Sequence, residues 1–296
     1  MMYYRRKVLL ALLETFGGSL GKTSLQKLLF LFSEKLEKPI FDFVPYQYGC
    51  YSYQSVWDLG ALSLKNFIEV KRTFWQLKNV NANYISLLKE NDQQKLTDLF
   101  QDFNSFSSQK LLHFTYLKYP YYATKSKILK KVLSTPEITM IKESIEKSKD
   151  TILHTIGYEG ISLETYLNKL IKADVKLLCD VRKNPFSQKF GFSKDMLSNT
   201  CKAMGIKYLH LPALGIQSEK RQNLKTQTDY DLLFMEYATD TLPEAEIYIN
   251  EILILLKKYK RIALTCFEAH HCQCHRGILA KYIIELPESN FELKHL

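Results

Sequence analysis

From residue 151 onward the chain alternates short apolar runs with amphipathic stretches, and this alternation limits the possible folds more than any other feature. Ile152-Leu153-His154-Thr155-Ile156 reads as a strand and Gly157 to Gly160 as a turn, after which Ser162 caps a helix carrying Tyr166, Leu167, Leu170 and Ile171 on one stripe. Val175 to Val181 reads as a buried strand, and a helix over 193–204, capped by Ser193, leads through Gly205 to a strand at Tyr208-Leu209-His210-Leu211. A longer helix over 243–259 precedes a strand at Arg261 to Cys266, a helix over 275–285 and a closing strand at Phe291 to Leu296. This pattern predicts an α/β domain with a mostly parallel, Rossmann-like sheet and helices on both faces.

Ligands of such sheets collect beyond the carboxyl ends of the strands, so the loops after Ile156, Val181, Leu211 and Thr265 share one rim. Those loops hold Tyr158 and Glu159, then Asp180, Arg182, Asn184 and Ser187, then His210, and finally Cys266, Glu268, Cys274, His275 and Arg276. Acids, bases, cations and thiols converge there, as in an enzyme site. Arg182 and Arg276 are expected to hold phosphate or another anion, and Glu268 or Asp180 to act as acid or base. Cys274 stands at a helix start beside Arg276, a setting that lowers a thiol pKa and makes a nucleophile. Cys266, Cys272, Cys274 and His275, with His270 and His271 between them, are also candidate ligands for zinc or iron. Simpler readings stand beside these: Asp180 pairs with Arg182 or caps a helix, His210 bonds to backbone, and Cys179 and Cys201 are small buried residues.

The first half of the 296-residue chain reads differently, and the length itself suggests two domains at roughly 100–200 residues each. Val8, Leu9, Leu12 and Leu13 mark a helix ended by Gly17-Gly18, and a second helix, capped by Thr23 or Ser24, runs to Pro39 as a helix-turn-helix-like pair. Gly17 to Thr23 looks like a phosphate-binding loop but leaves three residues, not four, before Gly21-Lys22-Thr23, and it follows a helix rather than a strand. The aromatic run Phe41 to Gln54 is either a surface or packing against the preceding helix. Trp57 to Phe67 reads as a further helix ending in Ile68-Glu69-Val70, and 80–133 as lysine-rich helices. The expected organisation is therefore a mainly helical domain over 1–133, a connector over 134–150 and the α/β domain over 151–296.

Charge is uneven. Residues 1–150 hold 22 Lys+Arg against 14 Asp+Glu, and residues 151–296 hold 19 against 17, so +8 of the net +10 lies in the first half. With abundant aromatics, that excess suits DNA or RNA, and Lys125, Lys127, Lys130 and Lys131 form a cluster able to track a phosphate backbone; a solvated helix face is the bland alternative. No apolar run approaches the ~18 residues of a membrane span, and Glu14 interrupts the one resembling a signal peptide, so a cytoplasmic protein is expected. The six cysteines, thinly spread except for the last three, are expected to be reduced.

Four blocks, Gly157-Tyr158, Asp180-Val181-Arg182 with Pro185 and Ser187, His210-Leu211-Pro212 with Leu214-Gly215, and Cys266-x-Glu268 ending in Cys274-His275-Arg276, resemble domain-of-unknown-function family 488 in order and strand-end placement. The resemblance covers about 151–296. Members often carry histidine where Tyr158 stands, and His270, His271 and Cys272 fall in the variable middle of the last block. It implies a fold and a site, without a reaction. Leu25-Gln26-Lys27-Leu28-Leu29 and Tyr48-Gly49 are similar to a pattern of the Panacea and SocA-like antitoxin group, departing at Cys50, where that group commonly has proline. That likeness implies a small interaction or DNA-binding module.

Three functional readings follow. The first is a nucleic-acid-directed hydrolase of glycosylase or nuclease type, acting on a nucleotide or a modified or damaged base by base excision or phosphodiester cleavage. The second is a ligand-sensing or DNA-binding regulator in a defence or toxin-antitoxin setting. The third is a cysteine- or metal-dependent enzyme acting on a small phosphorylated substrate.

Overall fold

In the computed structural model, which describes residues 2–143, 149–221, 224, 226–287 and 289–296, the chain divides into two units, Met1–Ile145 and Glu146–Leu296. The first opens with helix α1 (Tyr4–Thr15), whose apolar face buries Val8, Leu9, Leu12 and Leu13. Gly17 and Gly18 end it with φ of +84° and +79°, backbone that side chains with a Cβ rarely adopt. Strand β1 (Ser19–Gly21) then delivers the chain directly into helix α2 (Lys22–Lys35). Gly21 takes the cap position, so neither Thr23 nor Ser24 caps this helix as expected.

The hairpin β2 (Val44–Tyr46) and β3 (Gly49–Tyr51) precedes helix α3 (Tyr53–Leu64). Buried polar groups of α2 hold both: Gln26 accepts from the Ser52 amide at 2.8 Å and donates to Ser55 Oγ at 2.8 Å, while Lys27 Nζ donates to the Cys50 carbonyl at 2.7 Å. The run Leu25 to Leu29 thus carries its apolar residues into the core, Lys27 onto the hairpin and Gln26 onto the start of α3. Phe41, Phe43 and Cys50 are buried, and Tyr48 is exposed, so most of the aromatic run is packing.

Ile68-Glu69-Val70 is strand β4, not a helix end, and pairs with β5 (Phe74–Leu77), which also pairs with β1 in an antiparallel sheet of order β1-β5-β4. Helices α4 (Glu90–Phe103), α5 (Ser108–Lys118), α6 (Pro120–Ala123) and α7 (Leu129–Val132) follow. Helix α8 (Thr135–Glu143) lies inside the expected connector, yet its Ile141 is buried with Tyr116, Ala123 and Leu133. Residues 144–148 of that connector lie outside the described residues.

The second unit is the expected α/β fold. Strands β6 (Ile152–Gly157), β7 (Leu177–Asp180), β8 (Lys207–His210), β9 (Arg261–Cys266) and β10 (Glu292–His295) form one parallel sheet of order β10-β6-β9-β7-β8. The three inner strands are buried at every residue, because helices cover both faces, and this is why they read as largely apolar runs. Helix α9 (Leu163–Lys172), capped by Ser162 as expected, leads from β6 to β7, and α10 (Lys194–Ala203) leads from β7 to β8. The return to β9 runs through α11 (Gln227–Glu236), a π-helical turn (Tyr237–Thr241), α12 (Leu242–Glu244) and α13 (Glu246–Tyr259), and α14 (His275–Glu285) leads on to β10.

Side chains alternate across each strand. Leu153, Cys179, Ile262 and Leu264 join the core under α13 and α14, whereas Thr265 accepts a hydrogen bond from Tyr166 of α9 at 2.8 Å on the opposite face. Among the described residues no helix is long and apolar enough to cross a membrane.

His154, on the inner strand β6, is buried, and neither of its ring nitrogens hydrogen-bonds to a described residue. Burial, and then the charges of Arg261 and Lys294, lower its pKa from 6.5 to about 4. The folded state therefore keeps the ring neutral where the unfolded chain binds a proton. Stability is whole above pH ~6.5 and falls as the pH drops toward ~4, by up to about 3 kcal/mol. Urea unfolding across this range is expected to show that loss in wild type, and a correspondingly flatter curve in His154→Leu.

Candidate active site

Sheet order creates the site. The chain leaves β7 toward α10 on one face, and leaves its neighbour β9 toward α14 on the other, so the loops diverge at the carboxyl ends of adjacent strands. A cavity of about 330 Å³ opens there, walled by the loops after β6, β7 and β9, with Tyr158, Arg182, Asn184, Ser187, Cys266 and His275 among its lining residues. The expected convergence of these loops is what the fold produces.

The floor is a buried ion pair. Asp180 Oδ1 accepts from Arg182 Nε at 2.8 Å and from the Arg182 amide at 3.1 Å, while Oδ2 accepts from Arg182 Nη2 and from Tyr208 Oη, the latter at 2.6 Å. Arg182 Nη1 donates to Tyr158 Oη at 2.8 Å and to the Phe192 carbonyl at 2.9 Å. Desolvation pulls the guanidinium pKa down, but the hydrogen bonds and charge of Asp180 more than reverse it. Asp180 therefore reads as the anchor of Arg182, the simpler of its two expected roles, rather than as an acid or base open to a ligand. His210 Nε2 donates to the Arg182 carbonyl at 2.9 Å, which is also its simpler role. Tyr158 stacks on Phe192 with centroids 4.2 Å apart, and its carbonyl accepts from Lys189 Nζ at 2.6 Å. Ser187 accepts from the Lys189 amide at 3.2 Å and lines the cavity.

The loop after β9 is held from three sides. Arg276 is buried, and its Nη1 and Nη2 donate to the carbonyls of Glu268 and Ala269 at 2.6 and 3.0 Å. Glu159 accepts from the Ala269 amide at 2.9 Å, and the Phe267 carbonyl accepts from the amides of Tyr158 and Glu159. Arg276 is thus a clamp on backbone and does not line the cavity, a correction to its expected role as an anion holder: its side chain is spent on carbonyls exposed by an irregular loop. Glu159 serves the same loop. Glu268 is half-buried and is likewise not among the lining residues. Gly157 permits this contact, because a Cβ there would sit 1.8 Å from the Glu268 carbonyl oxygen. Gly215 does the same for the third loop, where a Cβ would meet the Lys183 amide nitrogen at 2.2 Å.

Cys266 ends β9, Cys274 caps α14 and His275 begins it. All three are buried, and their ligand atoms lie within 4.8 Å of one another. Cys272 is exposed and stands apart from this group, which corrects its place in the expected ligand set. Burial, reinforced by Cys266 and Glu268, pushes the Cys274 thiol well above its ordinary pKa, and the opposing charge of Arg276 does not offset this. Burial thus works against the activation expected from the helix start.

Lys127, Lys130 and Lys131 are exposed in the first unit, on and beside α7, and Lys125 is half-buried in the preceding turn. Cys179 and Cys201 are fully buried. Lys183, Phe186 and Phe267 also line the cavity and were not singled out in the sequence. The signal for the two phenylalanines is in the sequence: large aromatics beside Pro185 and Cys266, on loops at the strand-end rim.

Two substitutions test this construction. Asp180→Asn leaves a buried guanidinium without its counter-charge and is expected to lower stability by about 3–5 kcal/mol. Gly157→Ala is expected to cost roughly 1–3 kcal/mol by forcing backbone apart. Urea denaturation followed by circular dichroism measures both; wild-type stability in Asp180→Asn would show that the pair is not the floor of the site.

No curated protein and no solved structure matches the chain. The family model described as Domain of unknown function DUF488 does, and three of the four strand-end blocks lie within the stretch it covers: over residues 162–283 the C-terminal unit matches the DUF488 family.

Proposed function

We propose that the C-terminal unit takes a nucleotide or an exposed base of DNA or RNA into the cavity between β7 and β9 and hydrolyses it there, by base release or strand cleavage. The observation that carries this reading is the cavity's lining. Phe186, 72% exposed at the lip, and Phe267 offer aromatic faces, Lys183 offers a cation, and Asn184 and Ser187 offer amide and hydroxyl groups. Aromatic faces stack on bases, amides read base edges, and cations answer phosphate. The exposed Lys127, Lys130 and Lys131 and the basic excess of the first unit support contact with a phosphate backbone.

A second reading, a regulator that binds such a ligand without turnover, is favoured by one observation. Among the described residues lining the cavity there is no carboxylate, and Asp180 beneath it is engaged by Arg182 and Tyr208.

The experiment is incubation with normal and modified-base DNA and RNA, scoring base release and strand cleavage separately, alongside binding titrations at several salt concentrations. Phe186→Ala is expected to weaken binding by about 1–3 kcal/mol without changing its salt dependence. Lys130→Glu with Lys131→Glu is expected to flatten the salt dependence. Binding with no product from any substrate would favour the regulator, and no binding to any nucleic acid would overturn both readings.

A further inference from the structure

We infer that Cys266, Cys274 and His275 form a zinc site whose fourth position opens into the cavity. The His275 imidazole fixes the arrangement. Its Nε2 lies 3.0 Å from the Val181 carbonyl, which can only accept, so Nε2 carries the hydrogen and Nδ1 presents a lone pair. That lone pair is aimed at sulfur: Nδ1 is 3.7 Å from Cys266 Sγ and 3.9 Å from Cys274 Sγ. Around a tetrahedral zinc, with Zn–N near 2.0–2.1 Å and Zn–S near 2.3 Å, the nitrogen and each sulfur stand about 3.6 Å apart. Both nitrogen–sulfur separations are thus within a few tenths of an ångström of coordinating distance, and all three atoms lie within 4.8 Å of one another.

The surroundings match those of a metal ligand. Metal-bound histidines usually give their other N–H to a carbonyl or carboxylate, which fixes the ring, and Val181 does so here from the end of the neighbouring strand. The two sulfurs are held by elements whose separation is set by the clamped loop, with Arg276 and Glu159 on its carbonyls and amide. Two thiolates and one imidazole, with no carboxylate among them, select zinc or a similarly soft ion over magnesium or calcium.

Three protein ligands are one fewer than a structural zinc site uses. Cys266 and His275 both face the cavity, so the vacant coordination direction is toward any molecule lodged in it. On binding, Zn²⁺ displaces one proton from each thiol, and both leave to solvent, while His275 releases none. Such an ion would add to the proposed hydrolase the water-activating group that the lining lacks. The assignment of the metal rests on the three ligands alone and does not depend on what the cavity binds.

The test uses the untagged, full-length chain under reducing conditions. Elemental analysis is expected to find about one zinc per chain. After chelation, cobalt(II) titration is expected to give a thiolate-to-cobalt charge-transfer band and tetrahedral visible bands that saturate near one equivalent and are displaced by zinc. Cys266→Ser and Cys274→Ser are each expected to lose the stoichiometric uptake, and Cys272→Ser to keep it. A wild-type chain that is folded by circular dichroism yet shows no thiolate–cobalt band would overturn the site, as would loss of the band in Cys272→Ser. Because this readout needs no nucleic acid, cobalt uptake without nucleotide binding leaves the metal standing and removes the proposed substrate; the reverse result does the opposite.

Discussion

A guanidinium taken out of water must have its charge answered within hydrogen-bond reach, and at Arg182 that requirement organises the whole strand-end rim. Asp180 answers it from two residues away on the same face of an extended chain. Tyr158 and the Phe192 carbonyl take the remaining donors, which draws the loop after β6 and the segment before α10 onto the end of β7. Tyr208 closes the other side of the carboxylate from β8. Side chains of β8 and of the loop after β6 are thereby tied to the carboxyl end of β7, and this network underlies the cavity. A buried pair of this kind adds little net stability compared with apolar packing, but breaking one half of it is costly. Its contribution here is to position neighbouring loops.

The second organising contact is made to backbone. An irregular loop between β9 and α14 exposes carbonyls that no ladder satisfies, and Arg276, permanently charged and forked, satisfies two of them from the first turn of the following helix. Gly157 permits the close approach. The result is that Cys266 and Cys274, eight residues apart, meet around one imidazole. In the first unit the same economy appears at α2, where Gln26 and Lys27 spend buried polar groups on the backbone of the β2–β3 hairpin and the start of α3.

Much of the fold was legible for a physical reason. Strands covered on both faces are mostly apolar, so β6, β7 and β9 stand out as apolar-rich runs despite His154, Asp180 and Arg261, and the amphipathic segments between them show the helical period. The strands of the first unit were not legible: β1 and β4 have three residues each, too few to display alternation, and what makes them strands is pairing with β5 from elsewhere in the chain. The turn Tyr237–Thr241 was silent for a similar reason, since π-helical geometry leaves no compositional mark. Within the site, residue types showed which loops matter but not what each side chain does. Arg182 and Arg276 look alike in sequence, and only one of them lines the cavity.

By itself, then, the sequence determined the α/β class of the second half, the strand-end placement of its polar blocks and the basic character of the first half, because burial, period and charge are local properties of a chain. Tertiary structure alone decided the rest. It turned Arg276 onto carbonyls, committed Asp180 to Arg182, left Cys272 outside while bringing Cys266, Cys274 and His275 together, and placed Val181 where its carbonyl fixes the imidazole. The partners in each of these contacts are backbone atoms or residues on other elements, and which of them a side chain meets is set by the order of strands in the sheet, a property no single segment carries.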